Sequence, residues 1–291
     1  MNEWQLLELI QGRVPAAGDD CAVLPFRDTC LLLTTDMLHR ASDFPPGTTP
    51  YSIGWRSVAA SLSDIAAMGG RPLAVVLAAS APSWEGLFDG VLSGAQDACE
   101  EAGARLVGGD LDSSSELFLT STALGEAARP VLRAGARPGD LLCLSGPLGR
   151  TAAALHFFEQ GRLEEANRLF RFIPRVKEGL KLSSLATSMI DISDGLAHSV
   201  HLLARASDAG FLVDLSRLPL LPELEEFLPE GEALEKALYF GEDYELLYTM
   251  PPKLFRPELG IPIGEAVEGG VWLVHCGKRE RLPDRGWAHG G

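Results

Sequence analysis

The residues of this chain with the clearest capacity for chemistry are aspartates that stand beside glycine, serine or threonine. Asp191 and Asp194 bracket Ser193, where the apolar pair Met189-Ile190 gives way to a predicted helix that begins near Gly195. Carboxylates at such a point can hold a metal ion, and the free N–H groups of a helix N-terminus favour phosphate. Taken alone, the same residues are more typical of an ordinary helix N-cap, which stabilises a helix by about 1 kcal/mol. Recurrence of the pattern elsewhere in the chain favours the chemical interpretation.

Aspartates in this setting recur along the whole sequence, each at the end of a predicted strand or on a helix face of small residues. They are Asp20, Asp36, Asp64, Asp110, Asp191 and Asp194. Any one of them could be a turn residue, since Asp and Gly are both favoured in turns. Two carboxylates about 5 Å apart repel by roughly 3 kcal/mol at an effective dielectric constant of 20, so a converging set requires cations. Mg²⁺ is held by a few carboxylates together with phosphate oxygens, and the set therefore predicts metal-bridged binding of a phosphate compound.

The charge of the chain limits the ligands it can take. The sequence of 291 residues has a formal net charge of −15 and no run of Lys or Arg, so nucleic acid is not an expected partner. An anionic ligand must be bound through metal ions, backbone N–H groups and a few arginines. The sequence contains no GxxxxGK[ST], HExxH or GxSxG motif, which excludes a Walker-type nucleotide site and disfavours a zinc-protease or serine-hydrolase site.

Cysteine usage and hydropathy indicate a cytoplasmic protein. The five cysteines are scattered and never form a CxxC pair, which argues against a disulfide framework and against a zinc site. No apolar run approaches the roughly 18 residues of a membrane span. The N-terminus lacks the basic and then apolar pattern of a signal peptide. We therefore expect neither a membrane nor a secretory location.

Predicted strands and helices alternate and place the aspartates at their ends. In the first half, strands are predicted at residues 21–24, 31–36, 73–79, 105–110 and 117–124, and helices at 53–68 and 83–103. In the second half, strands are predicted at 141–145, 189–191, 211–215, 245–250, 261–267 and 271–275, and helices within 150–186 and at 195–209 and 231–239. This alternation is typical of mixed sheets with packed helices. Residues 133–140 break the periodicity and predict a boundary between domains 1–135 and 136–291, in keeping with the length of the chain.

The predicted helix at 53–68 carries an unusual face. Gly54, Ser57, Ser61 and Asp64 fall at helical spacing on one side, and residues this small leave room for another group to approach closely.

Seven short motifs, in this order, resemble those of the thiamine-monophosphate kinase family, of the superfamily that includes aminoimidazole ribonucleotide synthetase. They are Gly18-Asp19-Asp20-Cys21-Ala22, Thr34-Thr35-Asp36-Met37-Leu38, Leu62-Ser63-Asp64-Ile65-Ala66-Ala67-Met68-Gly69, Gly108-Gly109-Asp110, Asp191-Ile192-Ser193-Asp194-Gly195-Leu196, Gly241-Glu242-Asp243-Tyr244-Glu245-Leu246 and Gly286-Trp287-Ala288-His289. Selenophosphate synthetases and hydrogenase-maturation relatives fit less well, because the chain has no Gly-rich N-terminal segment with a reactive Cys and no Cys-containing tail.

The resemblance implies a fold and an activity. The implied fold is α+β with two domains, each a mixed sheet with packed helices: an N-terminal ferredoxin-like sheet that forms a barrel across a homodimer, and a C-terminal α/β sandwich. The implied activity is ATP-dependent phosphorylation of thiamine monophosphate to thiamine diphosphate. Such in-line transfer would use several Mg²⁺ ions and no general base, because the acceptor phosphate, with a second pKa near 6, is already largely deprotonated at neutral pH.

The resemblance also assigns roles to residues of this sequence. It implies metal binding by Asp20, Thr34, Thr35, Asp36, Asp64, Asp110, Asp191 and Asp194. It implies ATP contacts by Gly109, Asp110, Arg133 and Ser193, and thiamine contacts by Asp43, Glu242 and Trp287.

Three parts of the sequence depart from the family pattern. His39-Arg40-Ala41-Ser42-Asp43-Phe44 replaces Val-Glu-Gly-Val-His-Phe, Ser61 replaces an Asn, and His289-Gly290 replaces His-Phe. Two alternatives therefore stay open beside the kinase: an ATP-dependent synthetase of the same superfamily with another substrate, and a non-catalytic protein that binds metal or nucleotide.

Overall fold

Two mixed β-sheets with packed helices make up an α+β structure in this computed structural model, which describes residues 6, 9–10, 12–14 and 16–287. The tail motif at His289-Gly290 lies outside the described residues. Within the described part of the chain, no helix is both long enough and apolar enough to cross a bilayer.

The first sheet is built from the N-terminal strands. These are β1 (Ala22–Phe26), β2 (Thr29–His39), β3 (Arg71–Ala81), β4 (Arg105–Ser113) and β5 (Phe118–Ala127), with α1 (Arg40–Asp43), α2 (Pro50–Ala67) and α3 (Phe88–Glu101) between them. The strand order is β1-β2-β5-β3-β4. Only the pairing of β3 with β4 is parallel. The strand order makes β4 an edge strand of this sheet.

The second sheet is built from the C-terminal strands in the order β12-β11-β8-β10-β6-β9-β7. Its strands are β6 (Leu141–Leu144), β7 (Ser188–Asp191), β8 (Gly210–Asp214), β9 (Leu246–Met250), β10 (Ile261–Val267), β11 (Val271–His275) and β12 (Lys278–Arg281). Its helices are α4 (Arg150–Glu159), α5 (Leu163–Phe170), α6 (Val176–Leu182), α7 (Leu196–Ser207), α8 (Pro222–Glu225) and α9 (Glu230–Tyr239). Strands β10 and β11 have the predicted bounds, whereas β12 and α8 were not predicted.

Two strands run further than the sequence predicts. Strand β2 continues past Asp36 to His39, and β4 continues past Asp110 to Ser113. Both aspartates are paired within ladders, Asp36 with Ser121 and Asp110 with Ala78. The prediction that they mark strand ends is therefore wrong, because cross-strand pairing carries each strand beyond its last apolar residue.

Helix α2 lies at the centre of the packing. Thr49 caps its first turn by accepting a hydrogen bond from the Ser52 N–H at 3.2 Å, and Gly69 beyond its end has φ +63, the left-handed conformation that terminates helices. A Cβ on Gly54 would lie 1.9 Å from the Val91 carbonyl oxygen of α3. The small face of α2 thus admits a neighbouring helix and, through Ser61, the Ser121 hydroxyl of β5 at 2.5 Å, so protein rather than ligand fills most of it.

The hydrophobic core continues across both sheets. One cluster of buried residues joins Leu32 and Leu62 of the N-terminal part to Leu246 and Tyr248 of β9. The predicted boundary at residues 135 and 136 falls in the connection between β5 and β6, and the exact division into domains stays a prediction.

Candidate active site

Three buried or half-buried carboxylates meet where the two halves of the chain pack together. Asp20 precedes β1, Asp64 lies on α2 and Asp191 ends β7. One oxygen of each lies within 4.8 Å of the others. We call these three residues the acidic cluster, and its members come from three of the predicted motifs.

Further oxygen atoms surround the acidic cluster. The Thr34 hydroxyl donates to Asp64 Oδ2 at 2.5 Å, and the Ser63 hydroxyl donates to Asp191 Oδ2 at 2.6 Å. Asp36 is close enough to Asp64 for its charge to raise the pKa of Asp64. Thr34 and Asp36 therefore join the cluster as the family resemblance implies.

The cluster suits a divalent cation. Asp20 Oδ2 and Asp36 Oδ2 are buried and have no hydrogen-bond partner among the described residues. Burying such acceptors without partners is costly, and a bound cation would satisfy them. A donor set made only of oxygen atoms matches Mg²⁺ rather than a softer metal.

The electrostatics of the cluster lead to the same conclusion. Burial, and then the charge of Asp20, raise the pKa of Asp191 to about 8. Burial and the neighbouring carboxylates Asp36, Asp191 and Asp20 raise the pKa of Asp64 well above its usual range. Asp19, beside the cluster, has a pKa raised to about 6 by burial and by Asp20. The folded chain without metal thus favours protonated carboxyl groups.

These shifts predict how stability depends on pH when metal is absent. Because the pKa values of Asp191 and Asp19 are raised from 3.8 to about 8 and about 6, the folded state binds more protons than the unfolded state between about pH 4 and pH 8. The free energy of unfolding in EDTA should therefore fall as pH rises through this range. Urea titrations at pH 5, 6.5 and 8 measure it.

The same titrations with the Asp191→Asn variant and with added Mg²⁺ assign the pH dependence to the cluster. The Asp191→Asn variant should show a shallower fall between pH 6 and pH 8, because its side chain cannot titrate. Saturating Mg²⁺ should reduce the fall in the original protein, since it binds the deprotonated form. A metal-free protein that is more stable at pH 8 than at pH 5 would contradict the raised pKa values.

Arg133 balances part of the negative charge. Its Nη2 lies 2.8 Å from Asp20 Oδ1, and its backbone N–H donates to Asp19 Oδ2 at 3.1 Å. Arg133 is thus beside the cluster, where it could also meet a phosphate, but in this structure its guanidinium is paired with protein.

Backbone hydrogen bonds bring the other C-terminal candidates to the Asp191–Asp194 segment. The N–H groups of Glu242 and Trp287 donate to the carbonyl oxygens of Ser193 at 2.6 Å and Asp194 at 3.0 Å. A Cβ on Gly241 would lie 2.4 Å from the Ser193 oxygen, so this close approach requires glycine. The backbones of Glu242 and Trp287 therefore lie against Ser193 and Asp194, which follow Asp191 of the acidic cluster in the chain.

The helix cap at this point is a glycine. Gly195, with φ +106, occupies the N-cap position of α7, and no side chain caps the helix. The interpretation of Asp191, Ser193 or Asp194 as side-chain caps is therefore wrong. The Asp191 side chain instead points to Ser63 of α2, which leaves it available to the acidic cluster.

The segment that leads to Trp287 is hydrogen-bonded to α7. Asp284 accepts hydrogen bonds from His198 Nδ1 at 2.9 Å and Arg205 Nη1 at 2.7 Å, and His201 Nε2 lies 2.9 Å from the Leu282 carbonyl oxygen. Trp287 keeps 46% of its surface exposed.

Comparison with known proteins identifies the relatives of this structure. The family model described as AIR synthase related protein, N-terminal domain, matches residues 18–127. The chain is 46% identical over 294 residues to the thiamine-monophosphate kinase of Halobacterium salinarum, covering 99% of this chain and 100% of that protein. It is 36% identical to the Escherichia coli K12 enzyme of the same name, over 85% of this chain and 79% of that protein. The chain belongs to the thiamine-monophosphate kinase family.

A solved structure of the family has the same fold. The structure described as AaThiL complexed with AMPPCP and TMP superposes with a TM-score of 0.91 at 31% identity, covering 99% of this chain and 97% of that one. The family resemblance drawn from the seven motifs is thus confirmed.

Two family positions, Gly109 and Asp110, lie away from the acidic cluster in this chain. They line a pocket of about 590 Å³ between β3, β4 and α3, together with Trp84, Phe88 and Gln96. β5 and β3 separate β4 from β2, so about 14 Å lie between the two strands. The structure thus places a pocket beside the predicted nucleotide residues, but one chain does not bring Asp110 to Asp36.

The pleat of the sheet adds to this separation. One row of successive partners crosses the strands and contains Met37, Thr120, Ala78 and Asp110. This row lies on the face of the sheet that is turned away from α2, which we call the open face. Asp36 pairs with Ser121 in the neighbouring row, which faces α2. Asp110 therefore lies on the opposite face of the sheet from Asp36.

Two more residues that the resemblance assigns to the site, Thr35 and Asp43, make their contacts elsewhere in this chain. Thr35 points to the open face, where its hydroxyl lies 3.1 Å from that of Thr122, so its side chain does not join Thr34 and Asp36. Asp43, which replaces the family His, accepts hydrogen bonds from the His39 N–H at 2.8 Å and the Ser42 hydroxyl at 2.7 Å. Its carboxylate thus braces the turn of α1.

Arg56 is a charged residue of the site that the sequence analysis does not single out. It lies on α2, is fully buried, and pairs through Nη2 with Glu242 Oε2 at 2.9 Å. The only sequence signal is a cation within a helix of small and apolar residues, and such a residue is usually exposed.

Proposed function

We propose that this chain is a thiamine-monophosphate kinase that transfers the terminal phosphoryl group of ATP to thiamine monophosphate, giving ADP and thiamine diphosphate. The observation that carries the proposal is the acidic cluster, whose Asp191 lies just before the segment to which Glu242 and Trp287 are hydrogen-bonded through the backbone. The resemblance gives these residues the roles of metal, nucleotide and substrate contacts, and the chain has the fold of a relative solved with AMPPCP and TMP.

The proposed metal ligands are the carboxylates that the fold brings together. Asp20, Asp64 and Asp191 would hold Mg²⁺, with Thr34 and Asp36 beside them, and Asp194 would extend the set toward the substrate. Mg²⁺, when bound there, supplies charge neutralisation on the phosphate oxygens during transfer. The chain's own net charge of −15 makes this supply necessary for binding two polyanions.

The protein groups then bind and orient the two substrates. Ser193 and Arg133 would contact ATP, and Gly109 would admit nucleotide close to the backbone. Glu242 would meet the cationic thiazolium ring of the acceptor, and the half-exposed Trp287 would stack on its rings. No residue needs to remove a proton, since the attacking phosphate oxygen is already deprotonated.

A homodimer would complete the site. The open face of the first sheet exposes a set of large apolar side chains, each at least 40% exposed: Leu24, Phe26, Leu33, Met37 and Val76. A face of this kind marks an association surface, and burying it against a second copy would form the barrel that the resemblance implies. Asp110 lies in the row of Met37 on this same face, so it would lie in the contact with the other subunit, and we propose that it completes the site of that subunit rather than its own.

The kinase reaction tests the proposed function directly. Purified protein with ATP, Mg²⁺ and thiamine monophosphate should give ADP and thiamine diphosphate in equal amounts, and EDTA should stop the reaction. A panel of other phosphorylated acceptors, scored by ADP release, separates the kinase from a synthetase of the same superfamily. Binding of ATP without any product at high enzyme concentration would indicate a non-catalytic protein and overturn the proposal.

A further inference from the structure

Arg56 makes an ion pair between the two halves of the chain at an enclosed position. Its guanidinium carbon lies 4.0 Å from the centroid of the Phe170 ring, and Nη1 donates to the Phe170 carbonyl oxygen at 3.0 Å. The same guanidinium carbon lies 5.5 Å from the centroid of the Tyr244 ring. Among the described residues, Glu242 provides the one carboxylate that pairs with this cation.

Stability alone gives a weak reason for such a residue. A buried ion pair gains little over well-packed apolar side chains, because both charges lose their hydration. Arg56 is also incompletely satisfied, since its Nε is buried and has no hydrogen-bond partner among the described residues. The pair is therefore better explained by what it does to Glu242.

The loop that carries Glu242 is held in an unfavourable backbone conformation. Glu242 and Tyr244 have φ values of +56 and +52, which non-glycine residues rarely adopt. The Thr151 hydroxyl donates to the Glu242 carbonyl oxygen at 2.6 Å, and the Asp243 carboxylate accepts from the Arg150 N–H at 2.8 Å. Strained residues persist only where their surroundings over-determine them, and they cluster at ligand sites.

The two partners of the ion pair differ in exposure. The Arg56 side chain is 0% exposed, whereas the Glu242 side chain is 28% exposed. One oxygen of Glu242 is therefore held by Arg56, while 28% of the Glu242 side chain stays exposed and can meet a ligand. This arrangement fixes the direction in which the carboxylate presents its charge.

We propose that Arg56 is a positioning residue that acts through Glu242, holding that carboxylate toward the cationic ring of the phosphate acceptor. The inference rests on the proposed function. Arg56 should therefore set the affinity for the acceptor, whereas the acidic cluster and the nucleotide contacts are independent of it. Removing the guanidinium should raise KM for the acceptor and leave KM for ATP nearly unchanged.

A double-mutant cycle between Arg56 and Glu242 tests the inference. Arg56→Met, Glu242→Gln and the double variant are assayed with thiamine monophosphate at saturating Mg²⁺·ATP. We expect each single variant to raise the acceptor KM about 10- to 100-fold, as supporting residues behind a ligand commonly do, with kcat within about threefold. The double variant should be no worse than the poorer single variant, because the two residues act as one unit.

Controls separate positioning from general damage. Arg168→Met removes an exposed arginine that pairs with Glu223 at 3.2 Å and should leave the acceptor KM unchanged. Arg56→Lys keeps the charge and should recover part of the affinity. If Arg56→Met fails to fold, the same cycle is run with Arg56→Lys against Glu242→Gln, and the same criterion applies.

The possible results have distinct meanings. Losses that multiply in the double variant, or a rise in the KM for ATP equal to that for the acceptor, would overturn the role of Arg56. An original protein that forms no thiamine diphosphate would instead refute the proposed function, and this is seen before any variant is compared.

Discussion

Replacing Asp191 with Asn should lower kcat/KM for the kinase reaction by a factor on the order of 10³, the scale on which a single electrostatic group at a reaction centre commonly acts. Asp191 is 3% exposed, ends β7, and has an oxygen within 4.8 Å of oxygens of Asp20 and Asp64. Asn keeps the shape of the side chain and its contact with Ser63 but removes the charge that a cation requires. Initial rates with varied thiamine monophosphate and varied Mg²⁺ measure the loss.

The same variant should lose the stabilisation that ligand gives. Mg²⁺ with a non-hydrolysable ATP analogue binds only the folded state and should raise the Tm of the original protein. In Asp191→Asn most of that rise should disappear, although the metal-free variant should be at least as stable, because a repelling carboxyl group has gone. An unchanged ligand-induced rise in Tm would show that Asp191 is not part of the metal site.

A matched control lies at the far end of α7, the helix that follows Asp191 in the chain. Asp208 ends α7, with φ +50, about 18 Å from the start of that 12-residue helix. Asn tolerates the left-handed conformation as Asp does, so Asp208→Asn removes one negative charge without strain. It should keep both the activity and the ligand-induced rise in Tm, so an effect common to both variants would be one of net charge alone.

The acidic cluster can be predicted from sequence because its members have a local mark. Asp20, Asp64 and Asp191 each stand beside small residues in a short motif, and mutual repulsion makes their convergence informative. The interpretation of Asp191 as a helix cap failed for a reason of backbone geometry. Gly195 occupies the cap position itself, and a flexible residue there frees the carboxylate of Asp191 to point elsewhere.

The direction of strand side chains is harder to predict. Alternation along β2 is enough to place Thr34 and Asp36 on one face and Thr35 on the other, so this signal was present in the sequence. The face of Asp110 depends on its register with Ala78 and on the irregularity between Val75 and Val76 in the pairing of β3 with β4. Register of this kind is fixed only when the sheet forms.

Arg56 shows what local sequence leaves out entirely. Its partner Glu242 is distant from it in the sequence. The Phe170 and Tyr244 rings that lie next to Arg56 also come from other parts of the chain. A cation is placed in such an enclosure only by tertiary packing. The sequence shows the residues of the loop at 241–244, but not what holds them.

Two inactive variants should restore activity to each other if Asp110 acts across the dimer. Asp110→Asn and Asp191→Asn homodimers should each be almost inactive, because every site lacks one carboxylate. In a heterodimer of the two, one site would combine an intact acidic cluster with an intact Asp110, and the other site would lack both. Since a two-fold dimer has two equivalent sites, the heterodimer should show about half of the original kcat.

The experiment uses the two variants co-expressed with different affinity tags, so that the heterodimer is purified in two steps. Its physical basis is that Asp110 shares the open face with Met37, whereas Asp36 faces α2, with β5 and β3 between their strands. No side chain spans that distance within one chain. A heterodimer as inactive as its parents would place Asp110 in its own chain's site, and a protein that remains monomeric would refute the proposed barrel, because the apolar face of Leu33 and Met37 would then stay exposed to water.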